Sequence, residues 1–402
     1  MNENSQLLLV LTVFFVISAS LFQGCSTSSQ SEEIRRERIA SSPQWKEGSF
    51  QNPEHNQEIR FGDLLDWIWS SGNAKIVDTE PPRPLPAKEL RSEDWKRTGG
   101  SEGSDLAFAW LGHSSFLIEI EGKLILVDPV LGERSSPLSW TGPKRFHRSP
   151  VSTEALPLLD AILITHDHYD HLEKETMVSL AVKTKYYIVP LGIGSYLEDW
   201  GIAPEKIIEL DWWETHQLNG INITAAPAQH YSGRSSLGKN PTLWCAWAIR
   251  GPRRSVYVSG DSGLYKSGFT ETGKRLGPFD LSFLKIGSYP TFGIGSDSMN
   301  EGWLKLHMNP EQAAEQFLLI KGGLLVPTHW GTFNLASHPW YEPVERLLNR
   351  AKEKHIPVLI PEIGERVIIG SESTKKPPAF WWRHSGVPEN YEPPKEQIGH
   401  GQ

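Results

Sequence analysis

The chain has 402 residues, of which 38% are hydrophobic and 22% charged, and its formal net charge is −8. That length bounds one large α/β domain with tails, or two medium domains. The acidic balance lacks the basic stripe that general nucleic-acid binding requires, so no nucleic-acid partner is expected.

Residues 7–22 are a nearly unbroken apolar run. It is shorter than the roughly 20 residues of a membrane-spanning helix and suits the core of a signal peptide. Phe22-Gln23-Gly24-Cys25 follows at once. It resembles a bacterial lipobox, in which the cysteine is lipidated and becomes the first residue. Residues 1–6 depart from that pattern in having no Lys or Arg, and Phe22 stands where Leu is usual. The expectation is a lipoprotein signal peptide over 1–24, with an uncleaved anchor helix as the alternative. Either places the body at a membrane surface in the cell envelope, facing the periplasm or the exterior, with Cys25 as the lipid anchor. Residues 25–53 are polar and read as a tether. With Cys25 lipidated, Cys245 is the one thiol left and no disulfide forms; within 242–249 it reads as a small core hydrophobe.

Residues 54–370 read as one hydrolase domain. Phe61, Leu64, Leu65 and Ile68 fall at helical spacing, a stripe that packs on the domain or dips into a membrane surface. Strands are expected at 106–110, 115–120 and 123–127, with Glu121-Gly122 as a tight turn. Further strands are expected at 161–164, 186–189, 206–210, 221–225, 242–249, 255–258, 281–286 and 324–326. A helix over 310–320 has Asn309 as its N-cap, Pro310 in its first turn and Gln312 to close a capping box. Another is expected over 342–354. Residues 371–402 read as a tail with Trp381 and Trp382 as its apolar anchors. Many strands with helices between them predict an α/β fold, two sheets packed face to face under outer helices, four layers in all.

The chemistry concentrates in Ala161-Ile-Leu-Ile-Thr-His166-Asp167-His168-Tyr169-Asp170-His171. An apolar run ends there in a burst of metal-capable side chains. His166 and His168 can address one ion, and Asp170 and His171 a neighbour; imidazole and carboxylate suit zinc at about 2.0–2.2 Å. Three later strand ends carry single candidates: His230, Asp261 in a Gly-flanked turn, and His329.

These residues resemble the metallo-β-lactamase superfamily, whose signature is His-x-His-x-Asp-His followed by single His, Asp and His ligands. One branch is closer still, the N-acyl phosphatidylethanolamine-hydrolysing phospholipase D family. It matches at Trp110-Leu-Gly-His113, Gly142-Pro-Lys-Arg-Phe146, Leu210-Asp-Trp-Trp-Glu214, Gly277-Pro-Phe-Asp280, His307-Met-Asn-Pro-Glu311, His329-Trp-Gly-Thr-Phe333 and Phe50-Gln-Asn-Pro53. The resemblance implies a four-layered αβ/βα sandwich and two zinc ions per chain. One ion would take His166, His168 and His230, the other Asp170, His171 and His329, with Asp261 bridging. It also implies a hydroxide between the ions that attacks phosphorus, and a phospholipid substrate cleaved to phosphatidic acid and an N-acylethanolamine. The alternative is another phospholipid or a sugar-phosphate lactone. The catalytic candidates are therefore Asp170, Asp261 and His307, and Ser262 is not needed as a nucleophile. His307 either meets the phosphate or the departing alkoxide, or is a solvated loop residue. Asp128 either orients a ligand histidine or is a strand-end turn residue. His113 is a pocket residue or a structural hydrogen-bonder. Lys144, Arg145 and Arg148 either contact anionic head groups or lie on a solvated loop. The sequence leaves the oligomeric state open, a dimer included.

Overall fold

Apolar runs between turn formers become strands here, and most are buried on both faces. The computed structural model describes residues 27–54, 78–95, 105–138, 140–234, 240–290, 297–371 and 379–393. The signal peptide, Cys25 and the helix expected over 61–69 lie outside the described residues. Among the described residues no helix is long and apolar enough to cross a membrane.

The chain divides into two units after Pro43. The first contains helix α1 (Thr27–Ser41) in place of the expected tether. No Gly or Pro interrupts residues 27–42, and Glu32 pairs with Arg36 one turn on, a spacing that supports a helix. The second unit begins at Gln44, ten residues earlier than expected. A short hairpin, β1 (Trp45–Lys46) and β2 (Ser49–Phe50), opens it, and Phe50 is fully buried.

Two mixed sheets form the centre. The first contains β3 (Leu106–Gly112), β4 (Ser115–Ile120), β5 (Lys123–Val127), β6 (Leu159–Leu163), β7 (Thr184–Pro190), β8 (Ile207–Leu210) and β15 (Arg366–Ile368), in the order β15-β3-β4-β5-β6-β7-β8. The second contains β9 (Thr215–Leu218), β10 (Ile221–Ala226), β11 (Ala246–Arg250), β12 (Ser255–Val258), β13 (Leu281–Lys285) and β14 (Leu325–Thr328), in reverse order. Each sheet starts as an antiparallel meander and ends in parallel strands. Glu121 and Gly122 both adopt positive φ (47° and 77°) in the turn joining β4 to β5, the conformation a two-residue hairpin needs.

The sheets pack on each other. Phe283 of β13 meets Phe108 and Phe116 of the first sheet at ring-centroid distances of 5.0 and 4.2 Å. The alternate residues Ala109, Leu117, Leu126 and Ile162 face outward, where they join Met177 and Leu180 around α2 (Lys174–Ser179) and Ile193 and Leu197 of α3 (Ile193–Asp199). This period of two with both faces covered explains why the strands read as nearly continuous apolar runs. Further helices are α4 (Lys266–Arg275), α5 (Asp297–Leu304), α6 (Pro310–Leu319) and α7 (Glu342–Lys354); on the other side α6 packs on β13 and against α4 and α7. The α/β four-layered sandwich is thus the fold. The Asn309–Gln312 capping box forms, with bonds of 2.8 and 3.1 Å. Residues 242–245 are not strand, although a strand was expected from 242. Their amides turn instead to Ser232, Leu191 and Thr165, away from the β10 ladder.

Candidate metal centre

The antiparallel meanders put the carboxyl ends of β3, β5 and β6 at one edge of the first sheet. The same argument puts the ends of β10, β12, β13 and β14 at one edge of the second. Every candidate ligand sits at or just beyond one of these ends, and the two edges meet. The meeting is close. A Cβ on Gly260 (φ +56°) would lie 2.7 Å from the Thr165 Cβ, so only glycine lets the Asp261 turn reach the first sheet. Three non-glycine residues at the site also have positive φ: His113 (51°), Asp128 (41°) and His329 (61°). Such conformations cost roughly 1–3 kcal/mol each and persist where the surroundings over-determine them.

Two groups of donors result. His166 Nε2 lies 2.9 Å from His168 Nδ1, which lies 3.3 Å from His230 Nε2. In the second group Asp170 Oδ2 is 2.9 Å from His113 Nε2, 3.4 Å from His329 Nε2 and 3.5 Å from His171 Nε2. Asp261 stands between them, with Oδ1 3.4 Å from His171 Nε2 and Oδ2 3.0 Å from His329 Nε2 and 3.9 Å from His230 Nε2. A tetrahedral ion about 2.0–2.2 Å from each donor would separate the donors by roughly 3.3–3.6 Å. The spacing fits that requirement. Among the described residues the buried atoms His171 Nε2, His329 Nε2 and Asp261 Oδ1 also have no hydrogen-bond partner. Buried polar atoms are seldom left so, and a cation is the partner their chemistry suits.

The surroundings aim the ligands. Asp128 is fully buried; it accepts from the Thr165 amide (2.7 Å), the Thr165 hydroxyl (2.6 Å) and His171 Nδ1 (2.7 Å). That fixes the His171 tautomer with Nε2 facing the centre. His230 Nδ1 donates to the Leu306 carbonyl at 3.0 Å, with the same result. Asn52 clamps the His230 backbone, donating to its carbonyl (2.7 Å) and accepting from its amide (3.0 Å). Burial holds His166, His168 and His230 below the usual imidazole pKa, hence neutral. Burial opposes charge on His171 too, but Asp261, Asp170 and Asp128 outweigh it and raise its pKa well above normal. Burial likewise opposes the carboxylates, yet the neighbouring histidines leave Asp170 and Asp261 well below the usual range.

The structure thus brings together all seven residues the sequence singled out, and adds His113, which bonds Asp170. His307 is beside them, its Nδ1 3.7 Å from Asp261 Oδ2 and its ring stacked on Trp303 at 5.4 Å. It is buried rather than solvated, both ring nitrogens lack hydrogen-bond partners among the described residues, and burial and Lys285 hold it neutral. Arg145 meets neither expectation, contact with head groups or a solvated loop. It is buried, with its guanidinium committed to the Val130 and Gly132 carbonyls. Lys144 is exposed near Glu133. Asp167, inside the signature, turns away to the Gly233 amide at 2.8 Å. Ser262 is buried and donates to the Gly263 carbonyl. Sequence reasoning missed Lys285 and assigned no role to Asn52. A charged residue at an inward position of a buried strand marked the first; the second lies in the Phe50-Gln-Asn-Pro53 motif, which gives no hint of its partner.

Donor-bearing strand ends gathered at one edge of two face-packed mixed sheets define a metal-dependent hydrolase of the metallo-β-lactamase fold. The chain belongs to the beta-lactamase superfamily, whose domain model matches residues 123–330. It is 41% identical over 348 residues to an uncharacterised protein of Mycobacterium tuberculosis, covering 85% of this chain and 88% of that one. It is 34% identical over 285 residues to N-acyl-phosphatidylethanolamine-hydrolyzing phospholipase D 1 of Caenorhabditis elegans, covering 68% of this chain and 75% of that one. Among solved structures, the isothiocyanate hydrolase from Delia radicum gut bacteria shares the fold, with a TM-score of 0.50 and 18% identity over 65% of this chain and 98% of that one.

Proposed function

We propose that the protein is a zinc-dependent phosphodiesterase of the phospholipase D type, hydrolysing N-acyl phosphatidylethanolamine to N-acylethanolamine and phosphatidic acid. The observation that carries the reading is the convergence of seven metal-capable side chains on two adjoining points. One zinc would be held by His166, His168 and His230, and a second by Asp170, His171 and His329, with Asp261 shared. Bound there, the pair would supply an activated water at neutral pH and offset negative charge on the phosphoryl oxygens.

The chain's own residues do the rest. Asp128 and the Leu306 carbonyl hold His171 and His230 in the tautomers that present Nε2. His113 holds Asp170. His307, neutral and without a hydrogen-bond partner among the described residues, offers an N–H to a substrate oxygen on the Asp261 side. The substrate class rests on the likeness to the C. elegans phospholipase D and on the motifs shared with that family. A lipid anchor at Cys25, holding the enzyme in the cell envelope facing the periplasm or the exterior, would keep it beside such a substrate.

Incubating the purified protein with a phospholipid panel in isotopically labelled water tests the proposal. Label in phosphatidic acid, with an unlabelled N-acylethanolamine, is the expected result. Label in a free fatty acid would reassign the chemistry to acyl hydrolysis. Turnover confined to another phospholipid or to a sugar-phosphate lactone would select that substrate instead.

A further inference from the structure

Lys285 ends β13, a strand buried along its whole length, and is itself fully buried. Phe283, two residues earlier, packs against the opposite sheet, so the Lys285 side chain enters the same gap between the sheets. Its backbone amide bonds the Ser259 hydroxyl at 3.1 Å, two residues before Asp261. It lies opposite Thr328, which precedes His329. Lys285 thus sits between the two second-sheet strands whose ends carry Asp261 and His329. Among the described residues its ammonium has one hydrogen-bond partner, the Gly287 carbonyl, and no carboxylate within ion-pair distance. An ammonium taken out of water without a paired anion is costly, and no packing need explains a charge at this position. Burial lowers its pKa to about 8, while Asp261 and Asp170 act against that shift. The same charge acts on His307, His230 and Asp261.

We propose that Lys285 is a positioning residue, a resident counter-cation behind Asp261 and Asp170 against which metal ions must compete, and that it thereby sets the metal affinity of the centre. This rests on the reading of the centre as a metal site. The direction follows from electrostatics alone. A fixed positive charge favours the carboxylates while no ion is bound and repels a divalent cation when one arrives. Removing that charge must therefore tighten metal binding, whereas the loss of a merely structural residue would loosen it.

The test is Zn2+ binding by the full chain, measured by competition with a chromogenic chelator, for Lys285→Met, Lys285→Gln and Lys285→Arg. Methionine keeps the length without charge. Glutamine keeps a donor for the Gly287 carbonyl and serves if methionine disturbs folding. We expect both neutral variants to bind Zn2+ about tenfold or more tightly than the wild type, and arginine, which keeps the charge, to show no such gain. Unchanged or weaker binding in a folded neutral variant overturns the proposal, and so does a gain shared by arginine. A wild-type chain that binds no Zn2+ would instead defeat the metal-site reading itself.

Discussion

Asp128→Asn exchanges one buried oxygen for an NH2 group and leaves the size unchanged. Asparagine can still accept from the Thr165 amide, which Asp128 meets at 2.7 Å. Its NH2 then lies where Oδ2 accepted from the Thr165 hydroxyl at 2.6 Å and from His171 Nδ1 at 2.7 Å. The hydroxyl can rotate. The His171 Nδ1–H cannot, so the ring must move its proton to Nε2, the atom that faces the centre. Loss of such an outer partner costs about 10–100-fold in metal affinity, which is about 1.4–2.7 kcal/mol. His166 rests on the Thr165 hydroxyl (3.0 Å) rather than on Asp128. The loss should therefore fall on the Asp170, His171 and His329 group and leave the His166, His168 and His230 group nearly unchanged. Reloading metal-free protein with Zn2+ against a chelator, fitted to two sites, measures both affinities. Two wild-type affinities, or an equal loss at both sites, would refute the reasoning.

Asp261→Ala should lower the bound metal from two ions towards one or none and abolish turnover, because its oxygens face both donor groups; elemental analysis of purified protein checks this, and two retained ions would show that Asp261 is not shared. Asn52→Ala leaves a buried amide and carbonyl of His230 unpaired, and should cost about 1–3 kcal/mol in denaturant unfolding, with weaker zinc binding in the His230 group. Burial lowers the pKa of His147 to about 3, with Arg145 adding to the shift, and that of His338 to about 4. Depressed folded-state values mean that the unfolded chain binds more protons below about pH 6.5. Their stability is present above that pH and is lost as pH falls from there towards 4, by about 1.4 kcal/mol per pH unit for each group. Chemical unfolding of metal-free protein at pH 7 and pH 5 reads the slope, and a flat profile would contradict it.

The sequence by itself determined the strands of the meanders, because a strand covered on both faces is apolar at nearly every position and so stands out between turns. It determined helix α6 through a capping box, which is a contact between residues three apart. It singled out the seven candidate donors, because metal-capable side chains at strand ends form a local pattern. The helix at 27–41 was read as a tether because its composition is polar, although its i,i+4 pair and freedom from Gly and Pro were legible. Strands β9 and β15 escaped notice because they are short and partly exposed, and become strands only by pairing with β10 and β3.

What tertiary structure alone decided is how the donors are supported. Asn52 reaches the His230 backbone across 178 positions, and the Phe50-Gln-Asn-Pro53 motif that contains it does not announce that partner. The roles left open for Asp128 and His113 were settled by partners 43 and 57 positions away. Arg145 looked like a surface charge beside Lys144 until the chain folded carbonyls around it. Candidate donors are legible in local spacing because coordination needs particular atoms at particular strand ends. Tautomer, charge and affinity are not, because they depend on which distant groups the packing of two sheets brings within 3 Å.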